Sequence, residues 1–179
     1  MALEKNTDLQ SWKLPVTDVA SQGTSFSRQA TQVDCDELAG RLGIVACKSL
    51  TLDVLIAPLH RGRYRVSGML HARVIQSCIV SLDPVEQAID EPVDVEFWPP
   101  DQISVVHEGE HEIVDGDDPE PIEAGFILLG RLVFEIVSAS LDPYPRLPDA
   151  ELEQSESPPR GTMGTSGPFA ELARLKSRK

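Results

Sequence analysis

Tyr64-Arg65-Val66-Ser67-Gly68-Met69-Leu70-His71-Ala72-Arg73-Val74-Ile75-Gln76-Ser77-Cys78-Ile79-Val80 is the stretch on which the fold turns. Val66, Leu70, Ala72 and Val74 recur at even positions, while Arg63, Arg65, Met69, His71 and Arg73 fill the odd ones. A period of two over this length predicts a strand with one buried and one solvated face. Gly68 in its middle predicts a bulge or bend. Upstream, Leu50, Leu52, Val54 and Ile56 alternate in the same way and predict a second strand. Downstream, Ser81-Leu82-Asp83-Pro84 is a turn signal, and Val93, Val95 and Phe97 begin a third strand before Pro99-Pro100. Consecutive strands joined by short turns favour an antiparallel meander.

The period then changes. Leu129, Leu132, Val133, Ile136 and Val137 fall at helical spacing, so Phe126 to Ser140 is predicted as the main helix, with Arg131 and Glu135 paired on its outer side and Pro143 and Pro145 beyond its end. Near the start, Trp12, Leu14 and Val16 alternate as a short strand, followed by a polar loop through Ser21, Gly23 and Ser25. Asp34 as N-cap, Glu37 three residues on and Gly43 at the end predict a short helix from Cys35 to Leu42. The expected fold class is α+β: an antiparallel sheet, one main packed helix, a short N-terminal helix and a flexible C-terminal tail. The expected single domain is 1–148. Residues 149–167, rich in Glu, Ser, Pro and Gly, are expected to be a linker, and 168–179 a short amphipathic basic peptide.

Charge narrows the function. The 179-residue chain has 16 Lys plus Arg against 29 Asp plus Glu, a net charge of -13. Fifteen of those acids lie between Asp83 and Glu123, a span without Lys or Arg. Such a segment repels a phosphate backbone and is either a solvated face or an attractor for a cationic partner. Direct RNA contact is therefore confined to local basic features: Arg61, Arg63, Arg65 and Arg73, whose odd numbers share one strand face, and the chain's basic end. Three cysteines, Cys35, Cys47 and Cys78, form no paired framework and suit a reducing compartment. The polar start has no apolar signal core, and Gly125 to Leu141 is too short and too charged to span a bilayer, so a cytoplasmic protein without a membrane partner is expected.

His107-Glu108-Gly109-Glu110-His111 matches the H-E-x-x-H pattern of zinc proteases. That chemistry needs a helix to stack both histidines on the metal, whereas Gly109 and the flanking Val105, Val106, Ile113 and Val114 favour a hairpin tip. Asp115, Asp117 and Asp118 lack calcium-loop spacing. No phosphate loop, nucleophile elbow or Cys-His pairing with a positioned third group is present, so no catalytic residue, cofactor or metal site is expected. Pro168 to Lys176 places Phe169, Leu172 and Leu175 on an apolar stripe at the end of the tether, suited either to docking back on the domain or to a partner's groove.

Four segments carry a family resemblance: Val66 to Val74, Gln76 to Val85 with Cys78 and Pro84, Leu141-Asp142-Pro143-Tyr144-Pro145-Arg146, and Pro168-Phe169-Ala170 with Leu172, Leu175 and Lys176. In this order and spacing they resemble the YceD family of large ribosomal RNA subunit accumulation proteins, in its alphaproteobacterial type. The resemblance implies a bacterial, non-catalytic factor that supports accumulation of 23S ribosomal RNA and large-subunit biogenesis. It implies a ribosomal or rRNA-processing protein as partner, for which the acidic segment would suit a basic surface, with 23S rRNA contacted directly or indirectly. Many family members carry C-x-x-C in the second segment; here Cys78 is followed at the second position by Ser81, and no cysteine follows Pro143. A hydroxyl is a poor substitute for a thiolate ligand. The expected outcome is that purified protein holds less than stoichiometric zinc by elemental analysis and keeps its circular dichroism spectrum in a strong chelator.

Overall fold

The alternation in the quoted stretch is realised as a central strand. A computed structural model describes residues 9–103 and 119–150. Strands β1 (Lys13–Pro15), β2 (Thr24–Gln29), β3 (Ala46–Pro58), β4 (Tyr64–Ser77), β5 (Pro84–Trp98), β6 (Glu120–Pro121) and β7 (Phe126–Leu128) accompany helices α1 (Gln32–Leu42) and α2 (Leu129–Ser140). The main sheet runs β2-β3-β4-β5-β6, antiparallel through β5, with the short β6 added parallel to the end of β5. β1 and β7 form a separate antiparallel pair. The class is α+β, and the meander expected from the three alternating segments is its backbone.

One face of the sheet is the core. Leu50, Leu52, Val54 and Ile56 of β3, Val66, Leu70, Ala72 and Val74 of β4, and Ile89, Val93 and Phe97 of β5 are buried there. They belong to one cluster with Cys35, Leu38 and Ala39 of α1, Leu129, Leu132, Val133 and Val137 of α2, and Leu9 and Trp12. Full burial of each Val, Leu, Ile or Phe side chain among them stabilises by about 1.5–3 kcal/mol relative to exposure.

Several local expectations are corrected. α1 starts at Gln32, capped by Thr31 rather than Asp34: Thr31 Oγ1 accepts from the Asp34 N–H and Asp34 Oδ2 accepts from the Thr31 N–H. Thr31-x-x-Asp34 has the same capping spacing as Asp34-x-x-Glu37, and it is the one that closes, with reciprocal hydrogen bonds between Thr31 and Asp34. Gly43 ends the helix as expected, with φ 66°. The loop expected around Ser25 is largely the edge strand β2, whose polar sequence is held by pairing with β3 from Thr24↔Ile56 to Gln29↔Thr51. α2 begins at Leu129, not Phe126, because Phe126–Leu128 pair with Lys13–Pro15, a partner remote in sequence. β5 starts at Pro84, well ahead of Val93. The central strand ends at Ser77, short of Val80.

No bulge occurs at Gly68, which pairs regularly with Val54 and Val93; the register shift lies instead between Cys47 and Ser49. Gly68 is required by crowding, since a Cβ there would overlap the Asp53 carbonyl oxygen and the Val54 Cα. Gly130 is similar. It donates its N–H to Trp12 O at 2.8 Å, and a Cβ would run into the Leu9 carbonyl. The expected histidine tip His107–His111, the aspartates Asp115, Asp117 and Asp118, and residues 151–179, with Phe169, Leu172, Leu175 and Lys176, lie outside the described residues; of the acidic loop expected from Asp115 to Glu123, Glu120–Pro121 form β6. Packing continues through Ala150, which is buried and accepts a hydrogen bond from Arg146 Nη2.

The three glycines make a graded test. Gly68→Ala and Gly130→Ala are expected to destabilise by about 1–3 kcal/mol each, through backbone displacement. Gly40→Ala, inside α1 with open space at its Cβ position, is expected to stabilise by roughly 0.5–1 kcal/mol. Urea unfolding curves for the three variants check both signs.

Candidate functional site

Two of the segments noted in the sequence meet in space. The β4–β5 turn and the chain leaving α2 form one junction, held by polar side chains in the inward phase of β4 and β5. Gln76 Nε2 donates to the Asp142 carbonyl at 2.9 Å, and Gln87 Nε2 donates to the Ser140 carbonyl at 2.8 Å. Gln87 Oε1 accepts from the Asp142 N–H at 3.2 Å. α2 ends without a glycine cap or a basic last turn, and Gln87 supplies a partner to its last carbonyl, that of Ser140. The Ile79 N–H donates to Pro145 O at 2.9 Å, and Asp142 Oδ1 accepts from the Tyr144 N–H at 2.9 Å, which fixes the Asp142-Pro143-Tyr144-Pro145 bend.

Cys78 sits at the centre of this junction. Its sulfur is covered, and it accepts from the N–H groups of Val80 and Ser81 at 3.4 Å each. The Ser81 hydroxyl, then the backbone N–H groups of Ser81 and Leu147, hold its thiol down to about 6, against a smaller opposing effect of burial. Ser81 thus solvates the Cys78 sulfur. Cys35 of α1 and Cys47 of β3 behave oppositely: the two side chains are hydrogen-bonded to each other, and burial raises both, pushing Cys47 up to about 12. Among the described residues, no three His, Cys, Asp or Glu side chains gather where a metal ion could be held.

The junction leaves apolar groups in solvent. Ile79 is 55% exposed, Leu82 77% and Tyr144 73%, and Leu82 holds φ 64°, a left-handed conformation unfavourable for leucine. Pro84, exposed, pairs with Ser77 to open β5, and Arg146 ties the far side to Ala150.

The second element is the open face of the sheet. Arg65 and Arg73 lie there on β4, as the alternation predicts, but Arg61 does not: it sits in the β3–β4 turn with φ 63°. Arg63 is committed elsewhere, its guanidinium 3.5 Å from the Trp98 ring centroid and its Nε donating to Gln102 Oε1 at 2.8 Å. Arg65 forks onto both carboxylate oxygens of Asp94 and holds that carboxyl below its usual range. His71 bonds Asp90 opposite it, and Lys48 bonds Glu86 at 2.9 Å. The Lys48 hydrogen bond and charge, with Arg73's charge as a lesser cause, lower the Glu86 carboxyl. Lys48, Arg65 and Arg73 therefore face Asp53, Glu86, Asp90, Asp94 and Glu96, five carboxylates against three cations.

These features define an α+β protein with a helix-covered sheet, one open zwitterionic sheet face and an apolar-tipped junction at the sheet's end. No helix among the described residues is long and apolar enough to cross a membrane. No family model, curated protein or solved structure matches the chain.

The sequence missed Gln76 and Gln87 as organisers of the site. Their signal was present: each is a polar residue in the inward phase of an apolar alternation, two positions from Val74 and Ile89 respectively. The thiol chemistry gives a test. Iodoacetamide at pH 8 is expected to leave Cys35 and Cys47 unmodified in the folded protein, since both are protonated and covered. Cys78 is expected to react first as its turn opens, at a rate nearly flat from pH 7 to 9 because it is already a thiolate above about 6. Peptide mass mapping of the modified sites reads this; Cys47 modified as fast as Cys78 would contradict the assignment.

Proposed function

We propose that this protein is a non-catalytic cytoplasmic factor supporting 23S ribosomal RNA accumulation and large-subunit biogenesis in a bacterium, acting mainly through contacts with a ribosomal or rRNA-processing protein. The family resemblance of the chain supports the process. The mode of action rests on the charge of the open sheet face: Arg65 is held by Asp94 on the neighbouring strand, Arg73 acts on Glu86 only through its charge, and acids outnumber bases there. A phosphate backbone would have to displace bonded carboxylates and meet the remaining ones, whereas a lysine- or arginine-rich protein surface finds complementary charge. Ile79, Leu82 and Tyr144 at the sheet's end supply the apolar anchor that charge alone lacks, since affinity concentrates in a few desolvated side chains.

An affinity pull-down from cells, with and without ribonuclease, tests the mode. The captured protein partner is expected to survive ribonuclease. It is expected to weaken at least about tenfold with Ile79→Ser, Leu82→Ser and Tyr144→Ser combined, because exposed positions leave the core intact. The same variant should fail to restore 23S RNA levels in a deletion strain. Capture abolished by ribonuclease and by Arg65→Gln with Arg73→Gln would instead favour direct RNA binding.

A further inference from the structure

The covered side of the sheet holds a cavity of about 380 Å3 where the start of α2 meets β1 and the end of α1. Leu9, Trp12, Leu128 and Phe134 give it apolar walls. Every charged residue lining it is a cation: Lys13, Arg41 and Arg131. That is a departure in a chain where acids outnumber bases 29 to 16.

The three cations are not equivalent. Arg131 is saturated by Glu135 at 2.9 Å, Glu123 at 3.0 Å and Glu120 at 3.7 Å. Arg41 reaches Glu37 only at 3.9 Å and lies 4.3 Å from the Phe134 ring centroid. Lys13 has no carboxylate partner among the described residues, its ammonium resting 4.8 Å from the Phe126 centroid. Two cations held against aromatic faces among the residues lining an apolar-walled cavity can neutralise one anionic group whose body enters it.

We infer that this cavity binds a small organic monoanion with an apolar body, of the medium-chain carboxylate class. The volume falls within the range of small-molecule sites and corresponds to about a dozen waters, whose displacement by hydrocarbon drives entry. The carboxylate lies between Lys13 and Arg41. The chain's own apolar peptide is a poor occupant, because Arg174, Lys176, Arg178 and Lys179 would bring further positive charge to a positive lining. The site lies across the sheet from the open face, so it stands independently of the proposed partner contact.

Isothermal titration of the full chain with decanoate, and with decylammonium as the same body carrying the opposite charge, tests the assignment. Saturable one-to-one binding of decanoate with a Kd of about 1 mM or tighter is expected, without saturable binding of decylammonium. Lys13→Gln with Arg41→Gln should weaken decanoate at least about tenfold, and Lys13→Arg with Arg41→Lys should keep it within about threefold. Equal binding of both amphiphiles, no saturation by decanoate, or unchanged affinity in the glutamine variant would overturn the inference. Binding gained only when Leu3 is replaced by Gln would also overturn it, assigning the cavity to the chain's own first residues.

Discussion

Strand β4 is paired on both edges, with β3 from Tyr64 to Ile75 and with β5 from Tyr64 to Ser77. A strand bonded on both sides cannot slip by one residue without turning Val66, Leu70, Ala72 and Val74 to solvent and Arg65, His71 and Arg73 into the core. Register, core and open face are therefore a single choice. Gly68 allows the long strands to stay in register, because the β3 backbone comes close enough there to exclude a Cβ. The helices then cover the only face left apolar.

The same inward phase carries the two glutamines that fasten the chain after α2. Because Gln76 and Gln87 sit on adjacent strands of a fixed sheet, the carbonyls of Ser140 and Asp142 are met at fixed positions. The bend through Pro143 and Pro145 is thus anchored to the sheet and not to the helix alone. Its consequence is chemical as well as mechanical: Leu147 is brought to the Cys78 sulfur, completing a set of donors that the β4–β5 turn supplies only in part. An exposed leucine in a left-handed conformation at the tip of this turn is a local cost, and such costs persist where the surrounding structure fixes them.

Electrostatics divides the molecule along the sheet. On the open face, cations and carboxylates stand across neighbouring strands, so exposed pairs such as Arg65 with Asp94 contribute little to stability and much to the sign of the surface. On the covered side, Arg131 of α2 gathers three glutamates, leaving Lys13 and Arg41 as the less engaged cations of the cavity lining. The proposed macromolecular contact and the proposed small-ligand contact therefore fall on surfaces of different chemistry.

The α+β class, the meander of β3, β4 and β5, the last turns of α2 and the solvated placement of Arg65 and Arg73 were legible in the sequence, because periodicities of two and 3.6 are local properties of side-chain direction. The Gly43 cap was legible for the same reason. Tertiary structure alone decided that Phe126–Leu128 form a strand, that polar Thr24–Gln29 join the sheet edge and that Thr31 rather than Asp34 caps α1. In the first two cases the deciding partner lies far along the chain; in the third, two overlapping capping patterns compete, and the one between Thr31 and Asp34 closes. The junction at Cys78 and the cation-lined cavity belong to the same category, since each is assembled from segments whose proximity no local pattern records.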